Sequence, residues 1–158
     1  MLTEQFENLY PATQVVKSVR SLAVWNDKLW IGTNDEGLLY YDFQNGSILH
    51  LPLESGKSKS IVYAFAPANG KLYIGSYDGL SCYDPTKQVR KTVSLPELFR
   101  KLMVNSLLWD EQQNCLWIGA EGCLLQYSFK DSHVETSLAL PSNTAKTVSY
   151  THLTLPTT

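Results

Sequence analysis

One short string recurs through this chain at a fixed interval. Leu29-Trp30-Ile31-Gly32, Leu72-Tyr73-Ile74-Gly75 and Leu116-Trp117-Ile118-Gly119 place their glycines 43 and 44 residues apart. A period of roughly 40 to 50 residues is the size of a repeated supersecondary unit, so a fold must be found in which one unit is stacked or fanned several times. An apolar segment precedes each copy: Val19 to Trp25, Ile61 to Ala66 and Val104 to Trp109. After each copy comes a glycine and a second apolar segment with tyrosine near its end, at Gly37 to Asp42, Gly79 to Asp84 and Gly122 to Tyr127.

These segments are short, rich in Val, Ile, Leu, Tyr and Trp, and bounded by turn residues, which is the pattern of strands. Asn26-Asp27 and Asn69-Gly70 join the first segment of a unit to its second, and Asn45-Gly46 follows the third. Such pairs tolerate the positive φ of tight hairpin turns. A fourth segment of mixed polarity, as suits an outer edge strand, reads at Ser47 to Pro52, Gln88 to Val93 and His133 to Leu138. The fold expected is therefore all-β: a β-propeller fragment of about three four-stranded antiparallel blades, with a single helical turn between Glu97 and Met103. Its divisions are a lead-in over 1–18, blades at about 19–60, 61–103 and 104–147, and a tail over 148–158. In a propeller the inner strands are packed on both faces, which accounts for the unbroken apolar run Ile61 to Ala66 and assigns Trp30, Tyr73 and Trp117 to the gaps between blades.

Propellers close with about four to eight blades, so three imply a piece of a longer ring or an obligate oligomer. The text from Val148 to Thr158 reaches no further Leu-Trp-Ile-Gly, looks non-native, and is left out of the fold reading. Residues Met1 to Glu7 carry two acids and no basic and apolar leader pattern, so the chain is expected either to be cytoplasmic or to lack its true beginning.

Composition removes several classes of function. A net charge of −2 and no dense run of Lys and Arg argue against a nucleic-acid surface. No apolar stretch approaches the ~20 residues of a membrane-spanning helix. Cys82, Cys115 and Cys123 lack C-x-x-C spacing, and His50, His133 and His152 are scattered, so neither a metal site nor a disulfide framework is expected. No cofactor-binding pattern is present, and no nucleophile, base and acid share a motif.

The series Val19-Arg20-Ser21-Leu22, Leu29-Trp30-Ile31-Gly32-Thr33, Gly37-Leu38 and Tyr41-Asp42 resembles the two-component regulator propeller repeat. The second unit departs from it with Tyr73 and Ser76, the third with Ala120 and Ser128, and the likeness covers about residues 19 to 140. It implies the periplasmic sensor domain of a hybrid two-component histidine kinase, non-catalytic in itself. Its partners would be a small-molecule ligand such as an oligosaccharide, the remaining blades of the parent chain, and a second copy in a homodimeric parent. The kinase would lie outside this chain. Two other repeat families share part of the pattern. The string Leu72 to Leu80 is similar to the repeats of quinone-dependent alcohol dehydrogenases, but the docking tryptophan that follows their third strand is missing. Protein-binding scaffolds of the WD-repeat sort would show Gly-His and Trp-Asp pairs, and Trp109-Asp110 alone fits, in the wrong strand.

Ligands of propellers approach the end where the loops between second and third strands gather with those that connect blades. Here those loops supply Asn34, Asp35 and Glu36, then Tyr77 and Asp78, then Glu121. Polar groups beside an aromatic ring suit a sugar. Asn34, Asp35 and Asp78 are equally the residues that form turns by bonding their own backbone.

Overall fold

The computed structural model describes residues 4, 5, 7, 18–57 and 59–129, together with the backbone of His133–Ala139 and Ser149–Tyr150. Three antiparallel sheets follow one another along the chain. The first holds β1 (Val19–Trp25), β2 (Lys28–Thr33), β3 (Leu38–Asp42) and β4 (Ile48–His50), in that order. The second holds β5 (Val62–Ala68), β6 (Lys71–Ser76), β7 (Gly79–Asp84) and β8 (Val89–Thr92). The third holds β9 (Val104–Asp110), β10 (Cys115–Ala120), β11 (Cys123–Ser128) and β12 (His133–Ala139). A two-residue β13, Ser149–Tyr150, pairs with β12 and makes this last sheet five-stranded. At these two residues the tail, left out of the fold reading from sequence, extends the outer edge, where β12 offers unpaired backbone groups. The lead-in 1–17, apart from residues 4, 5 and 7, and the segments 140–148 and 151–158 lie outside the described residues.

The expected turn chemistry is present. Asn26 and Asp27 adopt φ of 53° and 61°, and Asn69 and Gly70 adopt 53° and 76°. Asp42 and Asp84 start the turn into the fourth strand by accepting bonds from the amides of Gln44 and Thr86, at 2.8 and 2.9 Å. A 3-10 turn at Glu97–Phe99 is the only helical element among the described residues.

Alternation along the strands sorts side chains between two cores. Trp30 and Leu38 of the first sheet meet Val62, Leu72, Ile74 and Tyr83 of the second. Tyr73 and Leu80, on the opposite face of the second sheet, meet Val104, Leu116, Ile118 and Leu125 of the third. In the recurring string the Leu and Ile therefore face the preceding sheet, and the aromatic faces the following one. Trp30 is fully buried, with its ring 4.8 Å from that of Tyr83, and its indole N–H donates to the Trp25 carbonyl at 2.9 Å. Tyr73 is 5% exposed.

Trp117 differs from this expectation, being only half-buried. It faces the side of the third sheet on which no further sheet lies among the described residues, beside Leu108, which is 65% exposed. Its indole N–H donates to Asp110 Oδ2 at 3.0 Å, and this bond, first among several, holds the Asp110 carboxyl below the usual range.

The glycine of the string is set by close approach. A methyl group on Gly32 would meet Ser21 Oγ of its own sheet and lie 2.7 Å from Val62 Cγ1 and 2.8 Å from the Val62 carbonyl, and one on Gly75 would lie 2.6 Å from Val104 Cγ1 and 3.0 Å from the Val104 carbonyl. The innermost strand of each following sheet thus presses its first valine onto the preceding sheet where that sheet has no side chain. Val62 and Val104 are 0% and 1% exposed, whereas Val19, with no sheet before it among the described residues, is 48% exposed. At Gly119 the nearest atoms all belong to Ser106 of the same sheet.

Two predictions follow from this packing. Gly75→Ala should destabilise by about 1–3 kcal/mol through overpacking, partly relieved by Val104→Ala, while Gly119→Ala should cost less because a serine hydroxyl can rotate away; denaturant unfolding of the three variants decides. Trp30→Ala should cost about 3–5 kcal/mol and Trp117→Ala clearly less, a difference readable from the same unfolding curves; equal losses would contradict the assignment of Trp117 to an uncovered face.

Candidate functional site

At one end of all three sheets the turn from second to third strand docks on the chain entering the first strand. The amides of Asn34, Tyr77 and Glu121 donate to the carbonyls of Ser18, Ile61 and Met103, at 3.0, 2.9 and 3.0 Å. This repeated bond brings the six residues singled out from the sequence to the same end of the arc. Inside two of the turns a hydroxyl completes the clasp: Thr33 Oγ1 donates to the Gly37 carbonyl at 2.9 Å while accepting from the Glu36 amide, and Ser76 Oγ donates to the Gly79 carbonyl at 3.2 Å. Ala120 cannot repeat it, so the third turn is held by backbone alone.

The six residues do not form one cleft. Asp35 and Glu121 are exposed, Asn34 and Glu36 are half-buried, and Tyr77 is 57% exposed. Asp78 is the most engaged of them, accepting from Ser60 Oγ and lying 3.5 Å from Lys57 Nζ. Ser60 and Lys57 belong to the connection between the first two sheets, so Asp78 fastens that connection to the turn of the second sheet. The turn-former reading expected Asp78 to bond its own backbone; its side chain instead meets side chains of another loop.

Arg90, read from sequence with Lys91 as a solvated edge charge, is instead buried behind this cluster. It is 3% exposed, with Nε donating to Ser81 Oγ at 3.0 Å and Nη1 to the Leu51 carbonyl at 3.2 Å. Desolvation pushes its pKa down to about 10, against the opposing charge of Asp78, so it remains a cation at neutral pH. Its backbone carbonyl also accepts from the Glu54 amide at 2.8 Å. In sequence it sits in an outer strand beside Lys91 and reads as an edge charge; only the register of β8 turns it toward the first sheet.

Arg20 was likewise visible only as part of the repeat. Its guanidinium lies 5.2 Å from the Tyr63 ring centre, and its Nε donates to Asn34 Oδ1. Beside the turn of the second sheet, Glu97, Leu98, Arg100, Lys101 and Leu102 line an open depression of about 450 Å³. A cleft of about 240 Å³ between the second and third sheets, lined among others by Lys71, Tyr73, Cys82 and Tyr127, lies toward the opposite end. Burial pushes the Tyr73 hydroxyl and the Cys82 thiol up, so both stay protonated at neutral pH. No group of three His, Cys, Asp or Glu residues that could hold a metal occurs among the described residues.

No family profile matches the sequence, and no curated protein matches it. Among solved structures the chain is similar to the extracellular domain of the hybrid two-component system BT4673 from B. thetaiotaomicron, at 28% identity with a TM-score of 0.67, over 89% of this chain and 20% of that one. The extracellular domain of the hybrid two-component system BT3049 from the same organism aligns at 15% identity with a TM-score of 0.59, over 89% of this chain and 25% of that one. PorZ, a surface component of the type-IX secretion system of Porphyromonas gingivalis, aligns at 15% identity with a TM-score of 0.57, over 74% of this chain and 20% of that one. The last two likenesses concern the fold alone. The chain spans 20% of the length of the BT4673 structure. The resemblance to two-component sensor propellers, first read from the repeat, is met by these neighbours, and so is the all-β architecture of antiparallel sheets. No helix among the described residues is long and apolar enough to cross a membrane.

Arg90→Ala should destabilise by about 2–3 kcal/mol, because it leaves the Leu51 carbonyl and Ser81 Oγ without their charged donor. Asp78→Ala, whose ion pair is largely exposed, should cost about 0.2–1 kcal/mol. Thermal melts of the two variants test the ranking, and the reverse order would remove Arg90 from its role as the inter-sheet tie.

Proposed function

We propose that this chain is a ligand-sensing propeller segment of a bacterial two-component regulator, set in the periplasm, which binds a carbohydrate or similar small solute and signals to a kinase outside the chain. The observation that carries the reading is the 28% identity over 89% of the chain to the extracellular domain of a hybrid two-component system. The geometry supports a binding role. Asn34, Asp35, Glu36, Tyr77, Asp78 and Glu121 stand at one end of the arc on turns held by a repeated backbone bond, as recognition loops on a rigid scaffold do. The groups with displaced pKa values, such as Tyr73, Cys82 and Arg90, are displaced chiefly by burial in packing positions, and this favours binding over catalysis. Completion of the ring by further blades of the parent, and pairing of two parents, belong to the same proposal.

Calorimetric titration of neutral and acidic oligosaccharides against the chain tests it. Micromolar to millimolar binding is expected, with Tyr77→Ala weakening it about tenfold through loss of an exposed ring platform while the melting temperature stays unchanged. Absence of binding by every sugar would overturn the carbohydrate reading.

A further inference from the structure

Each innermost strand carries an irregularity at the same place. In β1 the pairing with β2 skips between Val19 and Ser21, in β5 the pairing with β6 skips between Val62 and Ala64, and in β9 the pairing with β10 skips between Val104 and Ser106. The extra residues are Arg20, Tyr63 and Asn105. A bulge takes one residue out of the regular alternation and re-aims its side chain, and bulges are frequent beside functional sites. Here all three fall at the end of the sheets where the recognition turns stand, next to the valine that presses on the preceding glycine.

The neighbouring positions keep their chemistry from unit to unit, with Val19, Val62 and Val104 before the bulge and Gly32, Gly75 and Gly119 across from the residue after it. The residue after the bulge varies only between serine and alanine, whereas the bulged position itself runs from a cation to a phenol to an amide. Packing therefore dictates the flanks and leaves this one position open to other demands.

From this register and these contacts we infer that Arg20, Tyr63 and Asn105 form a row that binds a saccharide carrying a carboxylate, such as a uronic acid. The inference rests on the carbohydrate reading above and names the ligand class. The guanidinium of Arg20 is held in place by the Tyr63 ring, over which it lies, and by Asn34 at Nε. Its two terminal nitrogens have no protein partner among the described residues, and a fixed guanidinium fork matches a carboxylate with two parallel bonds. Tyr63 supplies a half-buried ring and a hydroxyl, and Asn105, exposed, supplies an amide that both donates and accepts. Those are the groups a sugar ring and its hydroxyls require, set beside the group its acid requires.

The test titrates trigalacturonate and the neutral galactotriose separately into the full chain and into its Arg20→Met, Arg20→Lys and Asn105→Ala variants, with thermal melts to confirm folding. Trigalacturonate should bind more tightly than the neutral sugar, Arg20→Met should weaken trigalacturonate at least about tenfold, and Arg20→Lys should restore only part of the loss. Asn105→Ala should weaken both sugars. If both sugars bind alike and Arg20→Met changes neither, the acidic-ligand inference fails and the carbohydrate reading stands. If neither sugar binds, the acidic-ligand inference fails, and the carbohydrate reading is decided by the wider set of neutral and acidic oligosaccharides titrated above. Should Arg20→Met prove unfolded, Arg20→Lys carries the comparison, and undiminished trigalacturonate binding there would overturn the bidentate contact.

Discussion

The structure turns on the contact between a glycine in the second strand of one sheet and a valine at the start of the first strand of the next. Gly32 and Gly75 leave room for Val62 and Val104, and everything outward of that contact is arranged around it. The aromatic beside the glycine fills the next layer of the gap, at Trp30 and Tyr73, and Arg90 occupies the outer reach of the first gap with the connection it ties down. The bulge follows directly after the valine, so the residues it carries are positioned by a close contact between sheets. A recognition row built there inherits its rigidity from the core without occupying it.

Much of this was legible in the sequence because the repeat samples the same environment three times. Strand order, hairpin turns and the burial of Trp30 and Tyr73 follow from alternation, glycine placement and Asn-rich turns. Trp117 carries the same motif but is half-buried, because identity of motif brings identity of environment only where the neighbouring sheet is present, and on that face none is described. The edge strand at Ser149–Tyr150 escaped because two residues carry no periodicity.

The candidate site was legible to a smaller degree. Loop residues such as Asn34 and Tyr77 stand out by type, yet their side chains' partners, Arg20 for Asn34 and Lys57 with Ser60 for Asp78, come from 14 to 21 residues away and depend on register. Arg90 looks like any charge on an outer strand until the pairing of β8 with β7 points it inward. The bulges leave a faint trace, one residue of extra length in each first strand, which becomes readable only once the partner across the ladder is known. Polar function in a β-repeat is written in such offsets, while packing is written in composition.

The glycine contact also has a geometric meaning. The first two sheets touch with almost no spacing at their inner edge, are held apart by the thickness of an aromatic ring midway, and by an arginine with its loop farther out. Those three thicknesses define a wedge, and where the glycine, the valine and an aromatic recur in the second gap the chain turns again in the same sense. The curvature of the arc is thus encoded in side-chain sizes at three radial positions. A bulkier residue at the innermost one would flatten the wedge and fit the chain to a ring of more members.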